Sequence, residues 1–229
     1  MTDSLVPVLD DSPLALSRIH IGPGDSLTVS ETAYDSLLYV YEGEGTVRFD
    51  APHSLTPGTS VLVLAGEHAE LSAEGDLHAV LAMVGPDADR HAPLGAREHV
   101  VRLADAEAGK ASGSRSFQIL FGPDNGSTRA TLFVGFIPPG KAPWHYHLYD
   151  EIVWVPEGPG RLHLGDGTDE LGPGSAFRLR PREAHIVENA SADRAMAILG
   201  IFTPAGSPSA AYLTPDVAAE YRFVDRGSR

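Results

Sequence analysis

Residues 34–45 (YDSLLYVYEGEG) return, with substitutions, as residues 149–160 (YDEIVWVPEGPG), 115 positions later. Three further landmarks repeat in the same order. Gly22-Pro23-Gly24 meets Pro138-Pro139-Gly140 at an offset of 116, and Leu55-Thr56-Pro57-Gly58-Thr59 meets Leu171-Gly172-Pro173-Gly174-Ser175 at the same offset. His68 then falls opposite His185 at 117. Single-residue insertions account for the drift, so the simplest origin is a duplicated unit. The expected division is 1–98 and 99–229, with the polar, Gly- and Ala-rich stretch 85–115 as a connector carrying one strand at His99–Leu103.

Each copy reads as β-structure. SLLYVYEG, TVRF, TSVLVLAG and LHAVLAMV in the first half, and SFQILFG, ATLFVGFI, EIVWVPEG, RLHL, SAFRLRP and AMAILGIF in the second, are apolar runs of strand length. Gly and Pro, 24 and 18 of the 229 residues, punctuate them. Long helical periodicity is missing. The one helix expected is short, TPDVAAEYR at 214–222, with Thr214 as cap and Pro215 at the first helical position. Many short strands with frequent turns predict an all-β fold of sandwiches or barrels.

Composition closes off several classes of function. The chain has no cysteine, which removes disulfides, thiolate metal sites, iron–sulfur clusters and a cysteine nucleophile. A formal charge of −14 argues against nucleic acid and against anionic membranes as partners. No stretch approaches the roughly 18 apolar residues of a membrane span, and the acidic start MTDSLVPVLDDSPLALS does not read as a signal peptide. A cytoplasmic protein is expected. Gly-x-Ser-x-Gly is absent, and neither Gly-Lys pair is followed by Ser or Thr, so no nucleophile elbow or P-loop exists.

The chemistry gathers in one segment, Pro139-Gly140-Lys141-Ala142-Pro143-Trp144-His145-Tyr146-His147-Leu148-Tyr149-Asp150-Glu151. Alternate strand residues face one way, so His145 and His147 point to the same side and Glu151 shares their parity. Two imidazoles and a carboxylate suit iron, manganese, nickel or zinc. A fourth ligand must come from a distant strand, and His185 is the candidate. Glu151 is also the candidate catalytic base. His163 reads as a surface strand histidine, and His20, His53, His78, His91 and His99 lack ligand spacing. Trp144 and Trp154 read as packing, and Arg178, Arg180 and Arg182 as a solvated strand edge.

Here the sequence resembles the cupin superfamily. Gly140, His145, His147, Glu151 and Gly158 fill its first motif, with the first gap one residue short. His185 and Asn189 match the end of the second motif. Pro181 stands in for that motif's proline, but the glycine is absent and the gap from proline to histidine is one residue short. The resemblance covers nearly the whole chain as two copies and implies a bicupin: two tandem double-stranded β-helix, or jelly-roll, barrels. Aligned on Tyr34-Asp35 and Tyr149-Asp150, the first copy has Ser30, Thr32 and Ser36 where the second has His145, His147 and Glu151, and keeps only His68. One imidazole does not hold an ion, so the metal is expected in the second copy alone.

The expected cofactor is one divalent ion, iron or manganese before nickel or zinc, held by His145, His147, Glu151 and His185. Cupins with similar ligand sets include oxygenases, decarboxylases, isomerases and cyclases. The first expectation is an oxygenase that brings dioxygen and a small oxygen-bearing molecule to one metal. Redox-neutral isomerase, lyase or cyclase chemistry is the second, and a non-catalytic small-ligand sensor the third. A homodimer is expected because bicupins often pair.

Overall fold

The run SLLYVY owes its unbroken apolarity to burial on both faces. On the strand Asp35–Glu42, Leu37 and Tyr39 join one core while Leu38 and Val40 join another. Its repeat partner Asp150–Glu157 behaves alike, with Ile152 and Trp154 on one side and Val153 and Val155 on the other. A half-exposed strand alternates apolar with polar residues, whereas a strand covered on both faces has no polar side to show.

The computed structural model describes residues 5–11, 13–111 and 114–214, and the helix expected at 214–222 lies, apart from Thr214, outside them. Four sheets account for the strands. The first runs, edge to edge, Leu5–Asp11, Leu14–Ile21, Leu77–Val84, Asp35–Glu42, Thr59–Val63, Val100–Arg102, and faces a smaller sheet of Ser26–Val29, Ala69–Ala73, Gly45–Arg48, Pro52–Leu55. Their inner faces enclose a core that includes Ile19, Leu38, Val61, Leu71 and Leu81.

The second pair repeats the plan. One sheet runs Ala108–Lys110, Ser116–Phe121, Thr131–Ile137, Met196–Thr203, Asp150–Glu157, Ala176–Leu179, and the other Gly167–Leu171, Gly160–Leu164, His185–Asn189, His145–His147, Ala211–Leu213. Together they form two all-β jelly-roll barrels, as the sequence predicts. The strand expected at His99–Leu103 is Val100–Arg102, and it pairs with Thr59–Val63 at the edge of the first barrel's large sheet. No helix among the described residues is long and apolar enough to cross a membrane.

The outer faces of the two large sheets make a third core. Leu14, Leu16, Leu37, Val80 and Val84 from the first barrel meet Phe121, Leu132, Val134, Ile152, Trp154 and Ile201 from the second. Burying a side chain of this size contributes about 1.5–3 kcal/mol, so this seam holds the two barrels together. Trp154, read as packing from sequence, belongs to this seam. A buried ion pair crosses it: Arg129 Nε stands 3.8 Å from Asp35 Oδ2, and Arg129 Nη1 donates to the carbonyls of Ala33 and Val84.

Strand register corrects the alignment of the copies by one residue. Val29 pairs with Ala69 as His145 pairs with His185. Gly66 N donates to Glu31 O at 2.7 Å, as Arg182 N donates to His147 O at 2.7 Å. The counterparts of His145, His147 and His185 are therefore Val29, Glu31 and Ala69. His68 is exposed, one residue short of the matching position. A shift of one residue turns a strand side chain to the opposite face, so none of the three positions in the first barrel that match the histidines carries an imidazole.

The same comparison locates the glycine missing from the second motif. Gly66 has φ 88°, and its counterpart Arg182 holds φ 68°. A side chain in the left-handed region costs about 1–2 kcal/mol, which the second copy accepts at the turn that carries His185.

Candidate metal centre

Three of the four candidate side chains come from the small sheet of the second barrel and one from the large sheet. His145 and His147 lie two apart on one short strand, and His185 sits directly across from His145 on the next. Glu151 has the parity of Val153 and Val155 on its strand, so it faces the barrel interior. The structure thus brings together all four residues singled out from sequence. The ring centroids of His145 and His185 are 4.5 Å apart, and those of His147 and His185 5.0 Å. His147, His185 and Glu151 are buried.

Each imidazole is held the same way. His145 Nδ1 is 2.9 Å from Pro143 O, His147 Nδ1 2.8 Å from Tyr149 O, and His185 Nδ1 2.8 Å from Glu183 O. A carbonyl oxygen only accepts, so in all three rings Nδ1 carries the hydrogen and Nε2 of the neutral ring offers a lone pair. This is how backbone carbonyls orient metal-binding histidines. His147 Nε2 lies 3.0 Å from Glu151 Oε2 yet makes no aligned hydrogen bond, and it is fully buried. A lone pair and a carboxylate this close repel unless a cation stands between them or a proton joins them. The donor set fits a divalent ion on that ground. In this conformation the four are neighbours rather than a closed ligand sphere, and among the described residues no group of three or more such side chains forms one.

Burial keeps His145 and His185 neutral. It pushes the His185 pKa down to about 3, aided by the nearby His145, against the opposing hydrogen bond to Glu183 O. His145 is lowered too, chiefly by burial, with Arg115 and His147 adding to it. The sign for stability follows. An unfolded histidine takes up a proton near pH 6.5, while native His185 resists until about 3. The metal-free protein therefore has the full His185 contribution above about pH 6.5 and loses it as the pH falls toward 3. A fall in urea midpoint between pH 7 and pH 4 is expected, smaller in His185→Gln than in the wild type. Equal falls in the two proteins would contradict this.

The four face a cavity of about 90 Å³ whose remaining wall is mostly apolar, including Phe117, Phe133, Ile137, Leu179, Val187 and Ile198. Three contributors have no signature in the motifs. Tyr149 stacks on His147 at 4.0 Å and on Phe202 at 4.0 Å, and its hydroxyl donates to Pro208 O. Burial raises its pKa, so it stays a neutral donor. Arg115 lines the cavity from the segment before Ser116–Phe121. Gly200 leaves room for the carboxylate: a Cβ there would lie 2.7 Å from Glu151 Oε1 and 2.2 Å from Phe133 Cε1. A lone glycine inside the apolar run AMAILGIF is the one sequence signal among them.

Other motif residues are structural. Gly140 and Asn189 exchange backbone hydrogen bonds of 3.0 and 3.1 Å. The Asn189 amide also donates to Ile137 O and Arg194 O, which ties down the loop leading into His145. His163, expected at the surface, is buried on the outer side of its sheet and paired with Glu188 at 2.7 Å. Arg178, expected on a solvated edge, forms a two-pronged pair with Asp150 at 2.8 and 2.6 Å.

Comparisons with known proteins agree with the architecture. Residues 132–202, the body of the second barrel, match the family model described as a cupin domain. A cupin 2 conserved barrel domain protein from Leptotrichia buccalis superposes with a TM-score of 0.63 at 14% identity, over 87% of this chain and 88% of that one. A variant of Bacillus subtilis oxalate decarboxylase gives a TM-score of 0.71 at 14% identity, over 91% and 74%. AerE from Microcystis aeruginosa gives 0.67 at 13% identity, over 87% and 96%. At these identities the likeness is one of fold. No curated protein matches the sequence. Barrel, motif and family model together define a cupin-fold protein with a candidate metal centre in one barrel. Residues 132–202 form a cupin domain, and the chain as a whole has the cupin fold.

Proposed function

We propose that the second barrel is a mononuclear metal centre, that His145, His147 and His185 bind the ion through Nε2 and Glu151 through its carboxylate, and that the protein is an oxygenase of a small oxygen-bearing molecule. The observation that carries the reading is the common tautomer: three rings with Nδ1 spent on backbone carbonyls and Nε2 free toward the Glu151 cavity. Three nitrogens and one carboxylate suit iron, manganese, nickel or zinc, and iron or manganese would supply both Lewis acidity and one-electron chemistry toward dioxygen. Among the similar structures, Bacillus subtilis oxalate decarboxylase is described with Mn(II) centres.

The chain's own residues then have distinct tasks. Backbone carbonyls fix the tautomer and the aim of the imidazoles. Tyr149 holds the His147 ring by stacking. The apolar wall excludes water around the reacting molecule, and among the described residues Glu151 is the one carboxylate on the cavity wall and so the candidate base.

That scarcity of acid and base groups favours the oxygenase over an isomerase or cyclase, which needs a second proton-transfer group across the substrate. Lyase chemistry is the alternative, since decarboxylation asks for less proton transfer. The test is oxygen uptake by iron- or manganese-loaded protein against compact hydroxy and keto acids and diols. Uptake matched to substrate loss, and abolished in Glu151→Ala, is expected. Turnover of the same compounds without oxygen would overturn the oxygenase in favour of the lyase. Tight binding without turnover would overturn both in favour of a sensor.

A further inference from the structure

One cation on the cavity wall is used by nothing described so far. Arg115 is half-buried and donates from Nη2 to the backbone carbonyl of Val187 at 2.8 Å. That carbonyl is its one hydrogen-bond acceptor among the described residues, and no carboxylate there stands within ion-pair range of it. The other buried arginines differ. Arg129 has Asp35 and two carbonyls, and Arg178 has Asp150. A guanidinium has five N–H donors in a planar fork, so Arg115 brings most of its donors to the cavity unspent. Burial lowers its pKa, the mark of a cation short of the solvation or counter-charge it would otherwise have. Its field reaches His145 and His185, lowering both.

Charge and size narrow what would answer it. The protein as a whole carries −14, yet among the described residues Glu151 is the one acid on this wall, against three imidazoles and Arg115. With a divalent ion added the pocket is net positive, and a positive, water-poor cavity draws anions. The planar fork matches a planar carboxylate. The cavity of about 90 Å³ takes the place of roughly six to nine waters, at roughly 10–15 Å³ each, room for a compact molecule.

Resting on the metal reading above, we propose that Arg115 is a binding residue for a carboxylate of the substrate, and that the substrate is therefore a compact carboxylic acid with a second oxygen turned toward the His145–His147–His185–Glu151 site. Arg115 also caps the Val187 carbonyl, so its test has to separate charge recognition from structure.

Cobalt(II)-loaded protein, with metal content measured, is titrated with glycolate and with its uncharged counterpart glycolamide while the cobalt absorption bands are followed. The wild type is expected to prefer glycolate. Arg115→Gln, which keeps a donor for Val187 O, is expected to lose glycolate affinity by at least about tenfold with glycolamide affinity, cobalt content and melting temperature unchanged. Arg115→Lys, which keeps the charge, is expected to lose less, and it decides the matter if Arg115→Gln does not fold. Unchanged glycolate binding in Arg115→Gln, or equal loss of both ligands, would overturn the proposal, as would a lysine variant that prefers glycolamide. Failure of the wild type to take one cobalt per chain would instead overturn the metal reading beneath it.

Discussion

His147→Ala is expected to take the protein from one bound metal ion per chain to a substoichiometric amount, an affinity loss of more than about 100-fold. Three features converge on this ring. It is 2% exposed, so no water replaces it at little cost. Its Nδ1 is fixed by Tyr149 O, and its Nε2 sits 3.0 Å from the Glu151 carboxylate. Removing it deletes one donor and leaves Glu151 facing an enlarged apolar cavity. The metal-free variant should remain folded. The stacking on Tyr149 is worth about 0.5–1.5 kcal/mol, and its loss is offset by relief of the contact between the lone pair and the carboxylate. The loss should therefore show in the metal-dependent rise in melting temperature, because a ligand stabilises only the state that binds it. Elemental analysis with melting curves, with and without added metal, checks both halves. A variant that keeps one ion per chain would remove His147 from the ligand set.

Gly200→Ala is expected to harm stability and metal binding together. The added carbon would meet Phe133 Cε1 at 2.2 Å, Phe133 Cζ at 2.4 Å and Glu151 Oε1 at 2.7 Å. The ring has little freedom to retreat, since Phe133 packs edge-on against both Phe117 and Phe202. Overfilling of this kind costs about 1–3 kcal/mol. The carboxylate is the easier group to push aside, and its displacement should weaken metal binding by about tenfold or more. Denaturant midpoints and metal titrations on Gly200→Ala test the two effects, and Gly200→Ala with Phe133→Leu should regain part of the stability. Full stability and full metal affinity in Gly200→Ala would mean that Glu151 is not held where the structure has it.

The legible part of this protein is the part written in local patterns. The repeat of YDSLLYVYEGEG in YDEIVWVPEGPG marks matching central strands of two barrels. Spacing alone puts His145, His147 and Glu151 on one side, because strand periodicity is local. His185 is less legible, because its motif lacks the glycine, and only the matching turns of the two barrels reveal that Arg182 at φ 68° takes that glycine's place. The first barrel shows the limit. Aligning it on Tyr34-Asp35 sets Ser30 and Thr32 where the strand register has Val29 and Glu31, and matching His68 to His185 errs by one residue the other way, since the register has Ala69 there. Arg115, Tyr149 and Gly200 act through neighbours distant in sequence or through the space they leave empty, and no local pattern reports such a contact.

The central claim is that one barrel of the two carries a metal, at His145, His147, Glu151 and His185. The most direct measurement is a crystal of metal-reconstituted protein with diffraction recorded on either side of the metal's absorption edge. One anomalous peak per chain is expected, between the three Nε2 atoms and the Glu151 carboxylate, and none in the first barrel. A peak elsewhere, or a fully reconstituted crystal with no peak at these four side chains, would contradict it.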